Sequence, residues 1–130
     1  MRWLLVCLGG ALGSGLRYGV GLVAARFLGL QFPWGTLGVN LLGCLLISLV
    51  IALATATADQ PALISHEARL FLTTGVMGGL TTYSAFNHEV LSLLSGSLWP
   101  RALGYVALTL LGCLLMGALG GVIGRAILAR

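Results

Sequence analysis

Gly75 to Phe86 reads GVMGGLTTYSAF, three glycines and two adjacent threonines inside a stretch otherwise apolar enough to cross a membrane. Glycine costs about 1 kcal/mol relative to alanine in a helix interior, and β-branched threonine loses side-chain freedom there. The pattern predicts a helix that runs over about 68–74, fails, and restarts near Tyr83. Within a bilayer an irregular backbone is tolerated only where it is buried in protein or lines a wet cavity. This stretch is therefore the first candidate for a functional site. On the restarted helix Tyr83 and Phe86 are three residues apart and share a face, an arrangement that ordinarily means core packing. Ser84, Asn87 and Glu89 add polar groups, and Glu89, three residues past Phe86, approaches the same face nearer the helix end.

Other polar residues stand isolated in apolar surroundings. Asn40 is the one strongly polar side chain between Gly35 and Ile47, and it reads either as interhelical glue or as an amide donor aimed at an anion. Its neighbours Thr36, Gly43 and Cys44 keep that helix face small. Arg17 lies midway along the first apolar stretch, where an arginine is costly. It is either a structural anchor or an attractor of anions at a pore mouth. Tyr105, Thr109, Cys113 and Gly117 fall at steps of four, a mildly polar stripe of mostly small residues. Cys7, Cys44 and Cys113 read as packing residues, not as disulfides or metal ligands. His66 has no second ligand at metal-binding spacing and reads as a loop residue. No Ser/His/Asp set, paired carboxylate, phosphate loop or zinc motif is present, so an enzyme is not expected.

The elements that position these residues follow from composition. The 130 residues are 58% hydrophobic and 8% charged, against about 25% charged in soluble domains. A spanning helix needs about 20 apolar residues, and four windows qualify: about 3–28, 34–57, 68–95 and 101–128. The expectation is one all-α, multi-pass membrane domain over 1–130. Met1 and Arg2 before an apolar run superficially suggest a signal peptide, but no cleavage site follows. Trp3, Trp34 and Trp99 sit at the predicted interfaces. Ser65 is placed to cap the third span, with Glu67 in its first turn. The net charge of +4 comes from scattered arginines, which suit membrane anchoring and not nucleic-acid binding. With alternating helices, Arg2, Arg69, Arg125 and Arg130 face Arg26 and Arg101 across the membrane, a weak orientation signal that permits insertion both ways round. Gly9 with Gly13, Gly15 with Gly19, Gly117 with Gly121 and Gly120 with Gly124 are small-xxx-small pairs that let helices approach.

GGALGSGLRY (9–18), GTLGVNLLGC (35–44), GVMGGLTTYSAF (75–86) and the glycine-rich fourth helix, in that order, resemble the small fluoride channels of the Fluc or CrcB family. The resemblance implies an antiparallel homodimer of dual-topology subunits in the cytoplasmic (inner) membrane of a prokaryote, each with four transmembrane helices and the third broken mid-membrane. It implies passive fluoride export along two pores per dimer. Fluoride would be flanked by ring edges of Tyr83 and Phe86 and met by the Asn40 amide and the hydroxyls of Ser84 and Thr109. Carbonyls of Gly78 and Thr81 would hold a structural sodium ion (Na+) at the dimer centre. Tyr83 stands where the family more often has Phe, and Cys113 and Gly117 where hydroxyl residues are common. A rival reading is a small proton-coupled multidrug exporter of dual topology, for which Glu89 is the only intramembrane carboxylate. A third is a structural membrane subunit that requires a different partner chain.

Overall fold

The longest apolar runs form the longest helices. The computed structural model describes residues 1–55 and 61–129, all helical or connecting, with no strand among them. In chain order the helices are α1 (Arg2–Leu28), α2 (Trp34–Ala54), α3 (His66–Leu70), a wider π-helical segment (Phe71–Met77), α4 (Gly78–Leu80), α5 (Tyr83–Ser95) and α6 (Trp99–Leu128). Three of these, α1, α2 and α6, are long and apolar enough to cross a membrane. Gly29 adopts φ 80° at the end of α1, a left-handed conformation that glycine takes without steric cost. Ser65 caps α3 as expected, its Oγ accepting from Ala68 N at 3.2 Å. The far end of the second predicted window, Asp59 and Arg130 lie outside the described residues.

Glycine faces determine which helices touch. A Cβ at Gly9 would lie 2.7 Å from the Phe71 carbonyl oxygen, and one at Gly13 would collide with the Val76 carbonyl. The same contact is made from the other side by Gly75, whose Cβ would sit 2.9 Å from Gly9 Cα, and by Gly79, whose Cβ would strike the Gly10 carbonyl. α1 therefore lies backbone against backbone on the π segment and α4. On the opposite flank α6 closes on α2, where a Cβ at Gly120 would collide with the Leu45 carbonyl and one at Gly124 would come within 3.3 Å of the Leu49 carbonyl. The Gly15 and Gly19 pair behaves differently. Nothing lies within 4 Å of the Cβ position of either residue, so that pair faces open space.

These contacts correct one expectation. The glycines of the central stretch do not dissolve the helix: helical backbone continues from His66 to Leu80, and only Thr81 (φ −79°, ψ 155°) and Thr82 (φ −155°, ψ 119°) are extended. Gly75 and Gly79 serve close packing, and the contacts they allow offset their poor helix propensity. The strain shows instead as widening, with Gly78 N–H donating back to the Thr73 carbonyl, five residues earlier. Such π bulges recur at functional sites.

The seam makes a direct prediction. Gly13→Ala would overpack two backbones that cannot give way, and overpacking costs about 1–3 kcal/mol. Thermal unfolding in detergent should fall clearly for Gly13→Ala and hold or rise for Gly104→Ala, where the Cβ position is open.

Candidate functional site

Where the helix stops at Leu80, backbone groups lose their partners. In a continued helix the Thr82 N–H would close on the Gly78 carbonyl; here it donates to Asn40 Oδ1 at 2.9 Å. Asn40 Nδ2 in turn donates to the Thr82 carbonyl at 3.2 Å. The side chain of α2 thus pairs with one extended residue as a neighbouring strand would. Thr82 also starts α5, its Oγ1 accepting from Ala85 N at 3.2 Å and lying 3.2 Å from Ser84 Oγ. Thr81 turns the other way: its N–H and Oγ1 both donate to the Met77 carbonyl, at 3.0 and 2.9 Å. Among the described residues no bond outside the helices reaches the carbonyl of Gly78 or of Thr81.

Beside this interruption lies a cavity of about 560 Å³, whose wall includes Asn40, Gly78, Thr81, Tyr83, Phe86 and Thr109. Asn40 is 8% exposed, and its amide has one donor hydrogen beyond the bond to Thr82. Phe86 is buried between two phenols, with ring centroids 5.6 Å from Tyr83 and 5.1 Å from Tyr105. Thr109 is 6% exposed, and its Oγ1 has no hydrogen-bond partner among the described residues. Buried hydroxyls are normally paired, so an orphan on a cavity wall marks a place for a ligand.

Glu89 lies one turn beyond Phe86 and receives two hydroxyls, Thr36 Oγ1 to Oε1 at 2.6 Å and Tyr105 OH to Oε2 at 2.7 Å. Tyr105 is fully buried, edge-on to both Phe86 and Phe32. Thr36 and Tyr105 were not singled out from the sequence as site residues. Their signal was spacing: Thr36 precedes Asn40 by four, Tyr105 precedes Thr109 by four, and Glu89 follows Phe86 by three. Three helices thus deliver two tiers of polar and aromatic groups, one bonded together through Glu89 and the other gathered on the cavity wall.

Two of the sequence candidates sit elsewhere. Ser84 keeps to Thr82 and is not part of the cavity wall. Arg17 lines a separate groove of about 410 Å³ with Ser14, Thr36 and Thr82. Chemically, the cavity offers an amide N–H, a hydroxyl and the positive edges of aromatic rings, without a charged side chain on its wall. That set suits a small anion held weakly.

Comparison with known proteins bears on the same residues. Residues 4–121 match the family model described as CrcB-like protein, Camphor Resistance (CrcB). A protein of Sorangium cellulosum named fluoride-specific ion channel FluC is 43% identical over 128 residues, 98% of each chain. One of the same name from Thermus thermophilus is 48% identical over 126 residues, 97% of each chain. A third, from Hyphomonas neptunium, is 53% identical over 92 residues, covering 71% of this chain and 70% of its own.

Proposed function

The chain belongs to the CrcB family, and from that membership we propose that it is a fluoride-selective channel that lets fluoride leave a prokaryotic cell passively through the cytoplasmic membrane. The observation that carries the assignment to this cavity is the buried, unpartnered hydroxyl of Thr109 on a wall shared with Asn40 and Phe86. Fluoride is small and strongly hydrated, and stripping it in a low-dielectric medium costs tens of kcal/mol by a Born estimate. Replacement donors must therefore be present. No single one can be strong, since conduction requires that the ion leave as readily as it enters. An amide hydrogen, a hydroxyl and ring edges in series meet both conditions. The relatives are named as channels, and no catalytic role is assigned to this chain.

In the same reading the helical stretches on either side of Thr81 and Thr82 together form a fourth, interrupted span. Two antiparallel copies then meet at this interruption, each with its own fluoride route. Tyr83 supports the assembly, since 76% of its surface is exposed in the single chain although its ring lies against that of Phe86, tilted by 53°. The carbonyls of Gly78 and Thr81 fit a structural sodium ion, being hard oxygen donors at a helix C-terminal end of the kind that coordinates Na+ in membrane proteins. A bound sodium would supply a fixed positive charge; the chain's part is to keep these carbonyls free, with Asn40 drawing off the Thr82 N–H from the Gly78 carbonyl and Thr82 Oγ1 drawing off the Ala85 N–H from that of Thr81. The exporter reading would need Glu89 for proton exchange, but both of its oxygens are occupied by hydroxyls from neighbouring helices.

The test is fluoride efflux from liposomes that hold the purified chain, followed with a fluoride electrode. Fluoride should leave down its gradient with chloride far slower, and equal permeability or no flux from folded protein overturns the reading. Thr109→Val sharpens it. Removing an unsatisfied buried hydroxyl should raise stability by about 1 kcal/mol while slowing efflux roughly tenfold. A variant that gains stability and keeps its full rate would take Thr109 out of the route.

A further inference from the structure

Two of the three cysteines lie on the cavity, one on each of the most closely packed pair of helices. Cys44 of α2 and Cys113 of α6 both line it, are free thiols and are half-buried. One turn beyond Cys113, a Cβ at Gly117 would come 3.8 Å from the Cys44 carbonyl oxygen, so α2 and α6 lie in close contact at the level of the two cysteines. Met77, with its thioether, lines the same cavity.

We propose that Cys44 and Cys113 form a two-thiol site for soft, two-coordinate metal ions of the Hg(II), Ag(I) and Cu(I) class, and that an ion held there closes the cavity to anions. The donor set selects the class. Soft thiolates and thioethers prefer soft metals, while tetrahedral zinc needs four N, S or O ligands. Among the described residues no three His, Cys, Asp or Glu side chains come together, so a metal that demands more than two such ligands is not satisfied. Binding breaks two S–H bonds, forms two metal–sulfur bonds and releases two protons, with no change of oxidation state. A divalent ion leaves a neutral bridge. A monovalent one leaves a bridge of charge −1, which repels an anion as well as obstructing it. The closing effect rests on the fluoride reading above, whereas the metal site does not.

The test uses the full chain with Cys7→Ser, which removes the remote thiol on α1, and mercuric ion as the probe. One Hg2+ per chain should consume both thiols, release two protons and produce a near-ultraviolet mercury–sulfur absorbance. Efflux of fluoride from liposomes should fall at least tenfold and return on adding excess dithiol. Cys44→Ser and Cys113→Ser, and equally the alanine versions, should each raise the Hg2+ needed for half-saturation at least a hundredfold. Two Hg2+ per chain, or single variants that bind as tightly as the parent, overturns the site. One Hg2+ per chain with unchanged efflux keeps the metal site and overturns its closing role. Absence of efflux before any metal is added refutes the fluoride reading instead, and the titration still decides the site.

Discussion

Phe86→Ile should abolish measurable fluoride efflux, a loss of a hundredfold or more, while the protein still purifies as a folded oligomer. A hundredfold corresponds to about 2.7 kcal/mol in the barrier. The ring belongs to the cavity wall and carries a positive edge, which an aliphatic side chain about one methylene smaller lacks. Stability must be separated from conduction, because Phe86 also packs against Leu37 and Tyr105 in one buried cluster. Leu37→Val serves as the control: Leu37 belongs to that cluster but is absent from the cavity wall. Trimming one methylene from the core costs roughly 1 kcal/mol. Efflux per folded protein should stay within a few-fold for Leu37→Val and vanish for Phe86→Ile. Equal losses in both would mean that packing, and not the ring edge, was being measured.

The two-tier arrangement explains why part of this site was legible in the sequence and part was not. Asn40, Phe86 and Thr109 stand out because each is chemically unlike the residues around it. Helical spacing then places Thr36, Glu89 and Tyr105 one turn away on the same faces. What spacing within one helix cannot supply is the pairing between helices, so the partners of Glu89 emerged only when α2, α5 and α6 were seen together. The glycines misled for a related reason. Propensity counts the local cost of Gly75, Gly78 and Gly79, whereas the gain at Gly75 and Gly79 comes from α1, some 65 residues away in sequence. The interruption contracted to the two threonines, where Asn40 takes over the backbone groups that a helix would have satisfied.

Asn40→Asp separates the two roles that the sequence left open for this amide. As glue, Asn40 needs one donor toward the Thr82 carbonyl and one acceptor for the Thr82 N–H. As an ion ligand it needs its second Nδ2 hydrogen. A charged carboxylate keeps the acceptor, loses both donors and turns an oxygen toward the Thr82 carbonyl, which leaves a buried carbonyl unpaired at a cost of about 1–3 kcal/mol. It also places a negative charge on the route of an anion. Two like charges about 4 Å apart at an effective dielectric near 20 repel by about 4 kcal/mol, close to three orders of magnitude in rate. A protonated carboxyl, by contrast, reproduces the amide's pairing with Thr82: O–H to the carbonyl, C=O from the N–H. Efflux should therefore be lowest where the introduced carboxyl is charged and rise in part as it takes up a proton, measured above the range where hydrofluoric acid crosses lipid unaided. Thermal stability should follow the same curve, since the Thr82 pairing returns with the proton. If stability recovers with falling pH while efflux per folded protein stays at the parent rate throughout, Asn40 is glue alone; if efflux falls with the charge and stays below the parent rate once the carboxyl is protonated, the missing second Nδ2 hydrogen is the one that meets the ion.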